Sequence, residues 1–173
     1  DLLSPTNTGL TLSAWIRLEP GDTASPRLVA GRHVMGHENG YFLAANMQGN
    51  LGQIGRASFF QGEIPPQVTA RSSTTVNDGR WHHVVAVRTP AGRSLIYVDG
   101  VPAEDDRPRR QSLSSGAPFV IGGAMGTVPT GLFTGWIDDL QVYDFGLSDE
   151  DIQRLHDNPG SNLADLAQPI RFS

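Results

Sequence analysis

Cysteine is absent from the 173-residue chain, which excludes disulfides, thiolate chemistry and cysteine-ligated zinc together. Charge is sparse as well: 18% of residues are charged and the formal net charge is -5, so no basic field exists to attract nucleic acid. The one dense basic cluster, Arg107 to Arg110, is bordered by Asp105 and Asp106 and reads as a solvated loop. No apolar run approaches the length of a membrane span, and no signal peptide is present, so membrane insertion is not expected. Glutamate is rare. The five are Glu19, Glu38, Glu63, Glu104 and Glu150, all far apart, so no strand carries the alternating acids of a retaining glycosidase, whose carboxyls stand about 5 Å apart. Asp138 and Asp139 are adjacent, and in a regular strand they point to opposite faces.

What is present has a period of two. In "LTLSAWIRL", Leu10, Leu12, Ala14, Ile16 and Leu18 alternate with Thr11, Ser13, Trp15 and Arg17, a strand with one strongly apolar face. Further strands are expected in Gly40–Asn50, Gln53–Phe60, Gln67–Ser73, Pro118–Ala124 and Gly135–Asp144. "WHHVVAVRTPAGRSLIYVDGV" reads as a hairpin, with Asp99-Gly100 supplying a tight turn. Eight or so short strands separated by Gly and Pro turns predict an all-β sandwich. One helix is expected near the C-terminus. Ser148 is its N-cap and Asp151 a capping-box partner, Leu147 and Ile152 form a hydrophobic staple, and Asp149, Glu150 and Asp151 favour the positive end of the helix dipole. Residues 1–158 are read as the sandwich, and 159–173 as a tail that docks or links to another domain.

In this order, "LTLSAWIRL", "DGRWHHVVAVR", "LIYVDGV", "FVIGG" and "GWIDDLQVYDFGLSDEDIQRL" resemble the bacterial branch of the laminin-G-like, concanavalin A-like family of jelly-roll domains. The resemblance implies an antiparallel jelly-roll β-sandwich, usually extracellular, that binds glycans or proteins beside a catalytic or adhesive module. Against the family's order the chain begins at the end of the first strands, whose place is expected to be left open, supplied by another chain or taken by the C-terminal tail. Trp15 and Trp81 stand at signature positions and are expected to pack, as are His82 and His83, one on each face of the strand. Trp136 stands where the family varies, which makes it the best ligand contact; alternation groups it with Leu140 and Val142. The family's frequent structural calcium would use Asp138 with backbone carbonyls around Asn7 to Gly9. The alternative role for Asp138 is a carboxylate that accepts backbone N–H bonds at the strand end.

His33 and His37 lie four apart, but Glu38 follows the second histidine and Gly36 weakens a helix, so a zinc-protease motif is excluded. Arg32, His33 and His37 are expected to offer hydrogen bonds to a ligand from a polar loop. Asn46 and Gln48, in "NMQGNLGQ", are further candidate sugar readers. The resulting expectation is a secreted or cell-surface, non-catalytic module that recognises a polysaccharide or other glycan. The competing expectation is a protein-binding or architectural domain, with an apolar rim of Phe59, Phe60 and Phe133.

Overall fold

The computed structural model describes residues 9–33, 40–48, 53–61, 68–105, 113, 115–124 and 131–166. Ten strands and two helices follow in chain order: β1 (Leu10–Leu18), β2 (Arg27–His33), β3 (Gly40–Ala45), β4 (Arg56–Gln61), β5 (Val68–Thr75), β6 (His82–Arg88), β7 (Ser94–Val98), β8 (Val101–Asp105), β9 (Val120–Ile121), β10 (Gly135–Tyr143), α1 (Asp149–Asp157) and α2 (Leu163–Leu166). The first sheet has the order β10-β1-β6-β7-β8 and the second β5-β4-β3-β2-β9. All eight strand pairings are antiparallel. The sandwich expected from the period-two pattern is present. No helix among the described residues is long and apolar enough to cross a membrane.

The core lies between the sheets. Leu10, Leu12, Ala14, Ile16 and Leu18 of β1 are fully buried there with Val84, Ala86, Ile96 and Val98 of the same sheet. Tyr41, Leu43, Ala57 and Phe59 face them from the second sheet. The second sheet is apolar on its other face too, where Leu28, Phe42, Ala44, Met47, Phe60 and Ala124 form a separate buried cluster. This is why β3 shows no alternation and why "RLVAGRH" gives no strand signal: Leu28 and Val29 are buried on opposite faces. Gly31 is required by that packing, since a Cβ there would lie 2.4 Å from the Tyr41 carbonyl oxygen. The expected rim of Phe59, Phe60 and Phe133 is not formed. Phe59 is core, Phe60 is buried with its ring stacked 4.7 Å from that of Phe42, and Phe133 packs partly buried against the core.

Outside the first sheet, α1 buries Ile152 and Leu155 against Val85, Val87 and Tyr97, with Leu147 beside them. Its start is built as the sequence suggests. The Ser148 hydroxyl accepts the Asp151 N–H, and the Tyr97 hydroxyl donates to the Asp149 carboxylate at 2.7 Å. Thr11, on the outer side of β1, accepts the Leu147 N–H at 3.0 Å and donates to the Phe145 carbonyl at 2.8 Å, fixing the chain's entry into the helix. Leu163 and Leu166 of α2 pack on the same cluster, so this part of the expected tail continues the domain's packing. Asp99 and Gly100 both have positive φ, 52° and 76°, and close the two-residue turn from β7 to β8.

Candidate functional site

With the even residues of β1 committed to the core, its odd residues Trp15 and Arg17 emerge on the outer face of the first sheet. Register then assembles their neighbours. Trp15 lies between His83 of β6 and Asp138 of β10, and Arg17 lies opposite Trp136 of β10. Trp81 stands one residue before the His82–Ile16 pair, which sets it across from Arg17 on the β6 side. All three tryptophans of the chain therefore gather at one end of one sheet face. Trp81 is 40% exposed and Trp136 48%. The Arg17 guanidinium sits 4.8 Å from the centroid of the Trp136 ring, a cation–π contact that covers part of that ring. Trp15 is more enclosed, stacked with His83 at 5.3 Å and with His156 of α1 at 5.7 Å.

A half-open cleft of about 330 Å³ lies against these rings, lined by Trp15, Trp81, Asp138, Asp139, Pro159 and Gly160. Both aspartates reach it because β10 is not regular. Trp15 pairs with Asp138 and Ser13 with Gln141, so Asp139 and Leu140 together oppose Ala14. Asp139 takes a φ of 48° in this bulge. The alternation expected from the sequence breaks there, which corrects two readings. Asp138 and Asp139 share one cleft instead of facing apart, and Trp136 lies on the outer face while Leu140 and Val142 turn to the core. Asp139 is an anchor: its carboxylate accepts from the Gln141 amide at 2.8 Å and from the Gly160 N–H at 2.9 Å, holding the turn after α1 over the cleft. Asp138 accepts the Asp139 N–H at 2.8 Å with one oxygen and is otherwise exposed.

A clamp built around the buried His82 fixes the Trp81 end. Within it, His82 bridges Asp99 at 2.7 Å and Asp78 at 3.0 Å, and the second Asp99 oxygen accepts the His83 N–H at 2.9 Å. The Asp99 bond raises the His82 pKa, burial opposes it, and the Asp78 bond adds to the rise. The bond from His82 and the Arg80 N–H hold the Asp78 carboxyl down to about 2. His83 behaves oppositely. Burial, then the neighbouring His156, push it down to about 4, and it bonds to the Ser13 hydroxyl at 2.8 Å.

The other sequence candidates lie elsewhere. Arg32 and His33 belong to β2 in the second sheet. The Arg32 Nε donates to the Ala117 carbonyl at 2.7 Å, and His33 is buried against Phe42 and Phe60. His37 falls outside the described residues. Asn46 is fully buried, its amide donating to the Asp22 carbonyl at 2.8 Å and accepting the Gly55 N–H at 2.8 Å, so it serves the frame. Gln48 is exposed just beyond β3, on the second sheet. For calcium, Gly9 lies beside Arg88 and Gly146, six residues and roughly 20 Å of strand from Trp15 and its partner Asp138. Of the carbonyls expected around Asn7 to Gly9, that of Gly9 is thus remote from Asp138, and Asn7 and Thr8 lie outside the described residues. No group of three or more His, Cys, Asp or Glu able to hold a metal occurs among the described residues, and Asp138 with Asp139 falls short of a calcium shell of six to eight oxygens.

The laminin G family model described as the concanavalin A-like lectin/glucanases superfamily matches residues 1–153. The chain belongs to this family. Solved structures share its fold. Domain 4 of AbnA, a GH43 extracellular arabinanase from Geobacillus stearothermophilus, in complex with arabinotriose, has a TM-score of 0.63 at 21% identity, covering 90% of this chain and 69% of that one. A putative carbohydrate binding protein from Bacteroides ovatus gives 0.68 at 19%, covering 90% and 43%. The heptameric SAP-like pentraxin from Limulus polyphemus gives 0.63 at 18%, covering 88% and 71%. At these identities the likeness is one of fold. No curated protein matches the chain.

Family signature positions thus hold two residues of the cleft that sequence reasoning assigned to packing, Trp15 and Trp81. The available signal was alternation itself, which put Trp15 on the face opposite the core.

Proposed function

We propose that this laminin-G-like domain is a non-catalytic carbohydrate-binding module, secreted or displayed at the cell surface beside a polysaccharide-active or adhesive partner domain. One observation carries the reading: the three tryptophans of the chain gather at one end of one sheet face, Trp15 and Trp81 lining a cleft that also presents the exposed carboxylate of Asp138 and Trp136 standing beside it. Indole faces accept the C–H surfaces of sugar rings, and a carboxylate accepts their hydroxyl protons. The arabinotriose complex of the similar arabinanase domain and its description as extracellular support the same reading. In this reading Asp139 is structural, its carboxylate holding the Gln141 amide and the Gly160 N–H, and no acid–base pair is assigned to the cleft.

Native affinity electrophoresis against plant, algal and microbial polysaccharides tests the proposal. Retardation by one neutral polymer class, weakened in Trp81→Ala, is the expected result. No retardation of the folded protein by any polymer overturns it and returns the choice to a protein-binding domain. A calcium ion is tested in the same gels. In this reading Asp138 supplies one ligand; loss of retardation and of thermal stability in chelator would reveal the ion, and unchanged gels and melting would remove it.

A further inference from the structure

We infer, building on the carbohydrate reading, that the ligand is a run of two or three uncharged sugar residues lying across the strands, with Trp81 and Trp136 as separate contacts. The two exposed rings are carried on either side of β1, and with strands spaced about 4.8 Å apart their backbones stand roughly 10 Å apart. One sugar ring does not bridge that separation; a short chain does. The cleft receives one sugar between Trp81, Trp15 and the Asp138 carboxylate. Trp136 lies beyond the cleft lining and forms a shelf for the next residue. Arg17, stacked on it, occupies part of the ring and steadies its plane, leaving the uncovered surface for the ligand. Charge sets the class of sugar. Among the described residues, two carboxylates and no arginine or lysine line the cleft, so a uronic acid or sulfated sugar seated between Trp81 and Asp138 meets like charge, Arg17 lying outside it on Trp136.

Isothermal titration with mono- to tetrasaccharides of linear arabinan, xylan and cellulose, and with the matching galacturonan series, tests this. The probes are used with the unmodified domain and with Trp136→Ala and Trp136→Phe. Affinity for one neutral series is expected to climb by about tenfold from monosaccharide to trisaccharide, as one added aromatic contact permits. In Trp136→Ala that climb disappears, and Trp136→Phe keeps part of it. If a neutral series binds but Trp136→Ala retains the full climb, or if galacturonan binds as tightly, the inference fails while the carbohydrate reading stands. If no sugar of any length or charge binds, both fail.

Discussion

Titration of His83 gives the sharpest test of the packing beneath the cleft. This ring is buried, stacked on Trp15 and near His156, and its pKa is pushed from 6.5 down to about 4. The folded state therefore binds fewer protons than the unfolded chain between these values, and stability falls as pH drops through that window. The difference corresponds to about 3 kcal/mol when titration is complete, at 1.36 kcal/mol per pKa unit. Most of it is felt early: from about pH 6 to about pH 4.5 the loss is roughly 2 kcal/mol. The clamp contributes with the opposite sign. His82 is raised, so its stabilisation is complete below 6.5 and is lost only as pH rises through its folded value. The depressed Asp78 and Asp99 carboxyls lose theirs only as pH falls below 3.8. Subtracting the loss of a variant without the imidazole then isolates His83. Guanidinium unfolding at both pH values, on the native chain and on His83→Gln, reads the effect. The variant keeps a side-chain amide that can bond Ser13 and has nothing to titrate. The native chain should lose roughly 2 kcal/mol more than the variant, or roughly 4–8 °C in Tm. Equal losses would show that His83 charges freely within the fold and would refute the reasoning.

Other perturbations follow the same logic. Asp99→Ala strands the His83 N–H, removes a partner of His82 and places alanine at a φ of 52°, so a loss of roughly 2–4 kcal/mol is expected by urea unfolding. Asp99→Asn keeps an acceptor and tolerates the turn, and should lose less than half as much. Phe59→Ala opens a cavity at the fully buried centre of the sandwich and should cost roughly 3–5 kcal/mol in the same assay. Ser148→Ala removes the N-cap and should lower stability by about 1 kcal/mol, read as a small shift in thermal unfolding.

The fold was legible wherever one face of a strand was polar. β1 announces itself because its odd residues are Thr11, Ser13, Trp15 and Arg17; β3 and β6, buried on both faces, were legible only as short apolar or β-branched runs beside turns, and β2, buried likewise, was missed. The helix start was legible because capping is local chemistry, set by Leu147 through Ile152 within one turn. The cleft was only partly legible. Trp136 and Asp138 were picked out, but the bulge that admits Asp139 depends on a register shift against Ser13 and Trp15, more than a hundred residues earlier in the chain. Asn46 misled for a related reason. A polar side chain beside a turn reads as a surface group until the structure shows both ends of its amide bonded to backbone.

The central claim is that sugar binds where the tryptophans converge, and the scarcity of tryptophan makes it directly measurable. A ¹⁵N-labelled sample gives three indole N–H signals, one for each tryptophan. On titration with a trisaccharide of the polymer that retards the domain, the Trp81 and Trp136 signals should shift together and saturate with the same Kd as binding measured by calorimetry. Saturable sugar binding that leaves both signals in place would put the ligand on another surface and contradict the account.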